Sequence, residues 1–225
     1  MSIRCVMYVS LAVAAAAGQA LAIDVRSTFD SVNPGIDCQI TYNSGTTENT
    51  RAGQMNWTRV GGTYAGLQGS YSAFCIEVTQ NIGYGGTYDY DVNTLNSAPR
   101  PADGSNSPMG QAKADRIAEL YGRHYASLST NSDFAAFQSA IWNIVYDTDN
   151  TIDTGSFSVN SFNSSDSTTR TKANTWLAGL NGDANYFRQG LFALTSDTVQ
   201  DMIVPSPGSA ALLGLGGLVL SRRRR

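Results

Sequence analysis

The chain has 225 residues, a formal net charge of −3, and only 15% charged side chains. Its only lysines are Lys113 and Lys172, and no basic stripe runs through residues 23–203, which excludes a nucleic-acid binder, since phosphate contact needs clustered cations. Gly, Ser, Thr, Asn and Tyr take the place of charge, a composition that suits an exported, β-rich surface domain.

Residues 1–22 read as a secretory signal. Arg4 supplies the positive start, residues 6–17 the apolar run, and Ala20-Leu21-Ala22 the small-x-small cleavage pattern. The run is too short for a comfortable membrane span. At the other end, Val204-Pro205-Ser206-Pro207-Gly208 is a helix-breaking spacer before an apolar run and four arginines, Arg222 to Arg225. Both ends carry only positive charge, so the body between them has a formal charge of −8. Residues 23–203 are then one domain, long enough for a real core. Cys5 leaves with the signal, and a disulfide is the default for Cys38 and Cys75 in an oxidising compartment.

In chain order, residues 23–29 and 36–42 predict strands separated by the turn Asn33-Pro34-Gly35, and Asn43-Ser44-Gly45 closes a hairpin. Residues 46–53 read as a polar loop and 54–60 as a strand around Met55 and Trp57. Residues 67–79 predict a strand with Phe74, Ile76 and Val78 on one face and Cys75 and Glu77 on the other. Another strand covers 87–95. The Pro-rich stretch 96–108 is long for a loop and marks the start of a helical insertion. Residues 109–125, 134–147 and 168–180 predict three helices, with 147–167 as polar loop. Residues 190–194 and 199–204 predict closing strands. The fold class is α+β: a β-rich, sandwich-like body with an inserted helical unit of about three helices.

The central helix is the most informative element. Phe134, Phe137, Ile141 and Val145 recur at helical spacing, while Ser132 and Asp133 occupy cap positions. Gln138 lies beside that stripe, either as a polar residue at a core edge or as a carboxamide held for a purpose. Cys75, on a strand, is the complementary group. An oriented thiol can attack a carbonyl held against it if the carbonyl oxygen is polarised. Phe74, Phe137 and Trp142 would shield the product from water, and Glu77 is a candidate proton shuttle.

Phe74-Cys75-Ile76-Glu77 followed by Phe137-Gln138-Ser139-Ala140-Ile141-Trp142 resembles the motif pair of bacterial surface-protein thioester domains. The resemblance runs from residue 67 to 147, and more loosely through the third helix and last strands. It implies that the Cys75 sulfur condenses with the Gln138 carboxamide, releases ammonia, and leaves an internal thioester open to amine nucleophiles. Val204, Pro205 and Pro207 with the apolar, basic tail resemble a PEP-CTERM sorting signal, although Ser206 stands where that signature carries Glu. This implies an exosortase as partner and transient anchoring in the inner membrane.

The expected function is an adhesion module at the cell surface or in a biofilm matrix. It acts in a single turnover, without cofactor or metal, and its target is an amine-bearing surface protein or a polysaccharide matrix. The alternative is a structural, exopolysaccharide-associated protein with a Cys38–Cys75 disulfide. A Cys75–His124 hydrolase is weaker, because neither residue has a triad-type local signature. Asp147-Thr148-Asp149-Asn150-Thr151-Ile152-Asp153 reads as a solvated acidic turn, with calcium as the lesser possibility because the EF-hand pattern fails.

Overall fold

The computed structural model describes residues 24–43, 45–100 and 108–206. The expected signal segment, residues 101–107, and the sorting segment from Pro207 onward lie outside the described residues.

Seven strands form one antiparallel sheet: β1 (Asp24–Tyr42), β2 (Thr46–Gly62), β3 (Ser70–Cys75), β4 (Thr87–Thr94), β5 (Ser158–Phe162), β6 (Leu191–Thr195) and β7 (Met202–Pro205). Three helices complete the α+β fold: α1 (Gly110–His124), α2 (Asn131–Tyr146) and α3 (Asp166–Ala178). The strand order is β2-β3-β7-β6-β4-β1-β5, and β2 also pairs with β1. That extra pairing closes six strands into a barrel, so the expected sandwich-like sheet is instead wrapped on itself. Closure pairs the barrel segments on both sides, while the β2 arm from Thr46 to Gln54 has a strand partner on one side only, β1.

β1 and β2 are each far longer than the barrel requires. Asp24 to Thr28 pair with β4 inside the barrel, while Cys38 to Thr41 pair with β5 beyond it. The expected break at Asn33-Pro34-Gly35 is a bulged crossing within one strand, and the supposed polar loop 46–53 is its hairpin partner. The sequence hides this because Thr46, Thr47, Asn49 and Thr50 are polar yet make a complete ladder to β1. β5 likewise lies within the stretch 147–167 expected to be polar loop.

Trp57, fully buried, plugs the barrel. Its ring meets Phe29 of β1, Tyr71 of β3, and Tyr88 and Tyr90 of β4, with centroids 4.9 to 6.5 Å apart. Alternation along β3 sends Phe74 the other way, against Tyr121, Phe134 and Phe137 of the helices.

α2 is not the one-sided helix its stripe implies. It packs on α1, α3, β1, β2 and β3, and every residue from Ala135 to Val145 is buried. Ala135, Ala136 and Ala140 let neighbours approach closely on its remaining sides. Its N-cap is Thr130, two residues before the expected Ser132, in a capping box with Asp133. Such a cap stabilises by about 1 kcal/mol. Although burial opposes ionisation, Lys172 and the Thr130 groups hold the Asp133 carboxyl well below the usual carboxylate range.

Candidate functional site at the Cys75 and Gln138 pair

Cys75 is the last residue of β3. On the β7 side, Ile76 N–H donates to the Asp201 carbonyl, so the Cys75 amide and carbonyl face the opposite side. There β2 pairs only from Thr58–Ser70 to Met55–Ala73, then departs into the long hairpin. The two polar groups of Cys75 are therefore left without a strand. Gln138 supplies what they need: Cys75 N–H donates to Gln138 Oε1 at 3.0 Å, and Gln138 Nε2 donates to the Cys75 carbonyl at 2.8 Å. The carboxamide stands in for the missing rung of β2. Both residues are almost completely buried, at 3% and 1% exposure.

No family model, curated protein or solved structure matches the chain. What the pair can do therefore rests on its own geometry.

The Cys75 thiol donates to the Glu77 carbonyl at 2.6 Å and accepts from Glu77 N–H at 3.3 Å. Both contacts are with main chain. The Glu77 carboxylate accepts from Thr79 Oγ1 at 2.6 Å and from Asp201 N–H at 3.4 Å. Glu77 also lies past the end of β3, so it does not share a strand face with Cys75 as its spacing implied. Burial pushes the thiol well above its ordinary pKa. Trp142 and the Glu77 main chain oppose that shift, and the Glu77 and Asp201 charges add to it. The indole N–H of Trp142 leans on the sulfur without completing a hydrogen bond.

Thus the site offers no standing thiolate at neutral pH. It does offer a carboxamide whose oxygen is already polarised by a backbone N–H, the arrangement that stabilises an oxyanion. Phe74, Phe137 and Trp142, the expected shielding residues, are each at most 2% exposed. A cavity of about 120 Å³ nevertheless reaches the pair, between Phe29, Met55, Trp142 and the rim residues Asn81, Tyr84 and Gln200.

The remaining candidates separate from this site. Cys38 and Cys75 are both free, buried thiols. Cys38 lies in the hairpin opposite Thr50 and Phe162, whereas Cys75 lies opposite Met202. Burial pushes the Cys38 thiol up to about 12. His124 stacks on Trp176 at 4.8 Å, as a packed residue does. Asp147 accepts from the Thr148 and Phe157 amides, Asp149 from Asn143, and Asp153 from Asn174 and Arg170. Asp147 of this acidic turn is buried, while Asp153 stays exposed to solvent as expected. Val204 and Pro205 of the expected sorting signature belong to β7.

Asp201 was not singled out from sequence, although an acid leading into Met202-Ile203-Val204 is a signal of a buried carboxyl. Its side chain is completely buried. Burial raises its pKa to about 7, opposed by the Arg100 and Ser196 amides and reinforced by the Glu77 charge. An unfolded aspartate ionises near ~3.9, so between about pH 4 and 7 the folded chain holds the extra proton. The stabilising contribution is complete below about pH 4 and is lost as pH rises through about 7. Urea unfolding across that window should show a declining component, on the order of 1 kcal/mol per pH unit, that Asp201→Asn flattens. An unchanged slope in the variant would contradict the assignment.

Proposed function

We propose that this chain is an exported surface or matrix protein that forms an internal Cys75–Gln138 thioester and uses it for one covalent attachment to a neighbouring surface. The observation that carries the reading is the reciprocal docking of the Gln138 carboxamide on the Cys75 main chain. It supports a reaction in which sulfur bonds to the Gln138 acyl carbon. The thiol proton passes to Nε2, and the carbon–nitrogen bond breaks to release ammonia. The Cys75 N–H stays on Oε1 throughout, while the Cys75 carbonyl loses its donor with the departing nitrogen. The thioester is thus formed at the expense of one buried hydrogen bond. Both lysines are already engaged, Lys113 with the Val145 carbonyl and Lys172 with Asp133, which limits self-attachment.

A structural role is favoured by the same contact read differently, because a glutamine that completes a sheet rung needs no chemistry. Intact mass of the exported protein separates the two. The thioester predicts loss of one ammonia, abolished by Cys75→Ala or Gln138→Ala, and addition of methylamine. An unchanged mass leaves the structural role. Loss of two hydrogens, restored by reduction, would identify a Cys38–Cys75 disulfide and end the thioester reading.

A further inference from the structure

The cavity leading to the pair has a definite chemical character. It is lined by Phe29, Val32, Met55, Ile82 and Trp142, with Thr50, Arg51, Asn81, Tyr84 and Gln200 supplying polarity. Among its described lining residues there is no carboxylate, and the one charge is the Arg51 guanidinium. Arg51 is fixed there by the Val32 and Gly35 carbonyls and by Asp37 at 2.7 Å. A lysine side chain reaches such a site as an ammonium, since its pKa is about 10.4. It would have to shed water with no carboxylate on the cavity wall to receive it, Arg51 there being already paired with Asp37. A hydroxyl meets no such penalty.

Size and rim shape narrow the acceptor further. At about 120 Å³ it is smaller than the ~150 Å³ that takes one benzene ring, so it admits the arm of an acceptor but not a sugar ring. At the mouth Tyr84 is 67% exposed, its ring stacked on Phe29 at 5.1 Å with 14° between the planes. One face of a rigid aromatic is thereby presented outward, beside the amides of Asn81 and Gln200. A flat ring next to planar amides suits the apolar face and hydroxyls of a pyranose.

Resting on the thioester reading, we propose that the acceptor is a carbohydrate hydroxymethyl group rather than a lysine amine. The sugar ring lies on Tyr84 while its primary hydroxyl enters the cavity. The hydroxyl oxygen bonds to the Gln138 acyl carbon, the carbon–sulfur bond breaks, and the hydroxyl proton ends on the released Cys75 thiol. The product is an ester.

The test uses the exported full chain with two probes at equal concentration and neutral pH: a β-1,4-linked glucose hexamer and Nα-acetyl-lysine amide. Adducts are read by intact mass per thioester present, then challenged with hydroxylamine, which cleaves the ester and spares the amide. The sugar adduct should exceed the lysine adduct by about tenfold or more, equivalent to at least ~1.4 kcal/mol of discrimination. Tyr84→Ala should lower the sugar adduct. Asn81→Asp, which places a carboxylate at the exposed rim, should raise the lysine adduct. Ammonia loss with the lysine adduct dominant, or with hydrolysis alone, overturns this inference and leaves the thioester standing. Absence of the ammonia loss in the parent overturns both.

Discussion

Gln138→Ala should destabilise the domain by on the order of 3–5 kcal/mol, whereas Cys75→Ala should cost about 1–2 kcal/mol. The asymmetry follows from which atoms bond. Gln138 uses its side chain, so truncation orphans the Cys75 N–H and carbonyl together in a site at most 3% exposed. Each orphaned group costs about 1–3 kcal/mol, and the lost carboxamide adds a small cavity. Cys75 uses its main chain, so removing the sulfur leaves both bonds to Gln138 intact and takes only the thiol contacts from Glu77, whose carbonyl keeps Gln200 Nε2. Gln138→Glu should be worse than alanine, because a carboxylate oxygen would face the Cys75 carbonyl. Urea denaturation of the variants measures this directly. Equal losses for Gln138→Ala and Cys75→Ala would show that the carboxamide does not hold the end of β3. Both substitutions abolish a thioester equally, so stability and adduct formation report on different properties of one pair.

The helices were legible because their signals are local. Apolar spacing, a capping acid and a terminating Gly or polar run located all three within a few residues. Barrel closure was not legible, because it depends on β1 pairing with β2 and β4 at once, and neither strand carries a mark of that choice. The polar hairpin arm misled for a related reason. Its outward residues bond across the ladder, Thr41 to Thr47 and Gln39 to Asn49, rather than burying apolar surface. At the site, the resemblance of two short motifs to a known pair singled out Cys75 and Gln138. Their contact, side chain to main chain across 63 positions, could not be read from either motif. Glu77 shows the limit of strand alternation. β3 stops at Cys75, so the two-residue period no longer applies, and the main chain of Glu77 meets the thiol while its carboxylate turns to Thr79 and Asp201.

Trp142 should separate formation of the thioester from its survival. The residue is 2% exposed, packs against Phe157 with centroids 6.0 Å apart, and lines the cavity over Cys75. Trp142→Ala removes a large buried side chain and should cost on the order of 3–5 kcal/mol, too much to isolate a chemical effect. Trp142→Phe keeps most of the packing and removes only the indole N–H and one ring. That N–H has no completed hydrogen bond, so its loss orphans nothing new. The variant should therefore fold with a modest penalty, about 1–2 kcal/mol. The vacated ring volume widens the cavity beside the acyl carbon, and water gains readier access to it. The ammonia loss should still appear in freshly isolated Trp142→Phe protein. The mass should then rise by one water severalfold faster than in the parent, with the Cys75 thiol becoming titratable at the same rate. Equal lifetimes would mean that the aromatic wall does not protect the bond, and that exclusion of water falls to Phe74, Phe137 and the closed end of the barrel.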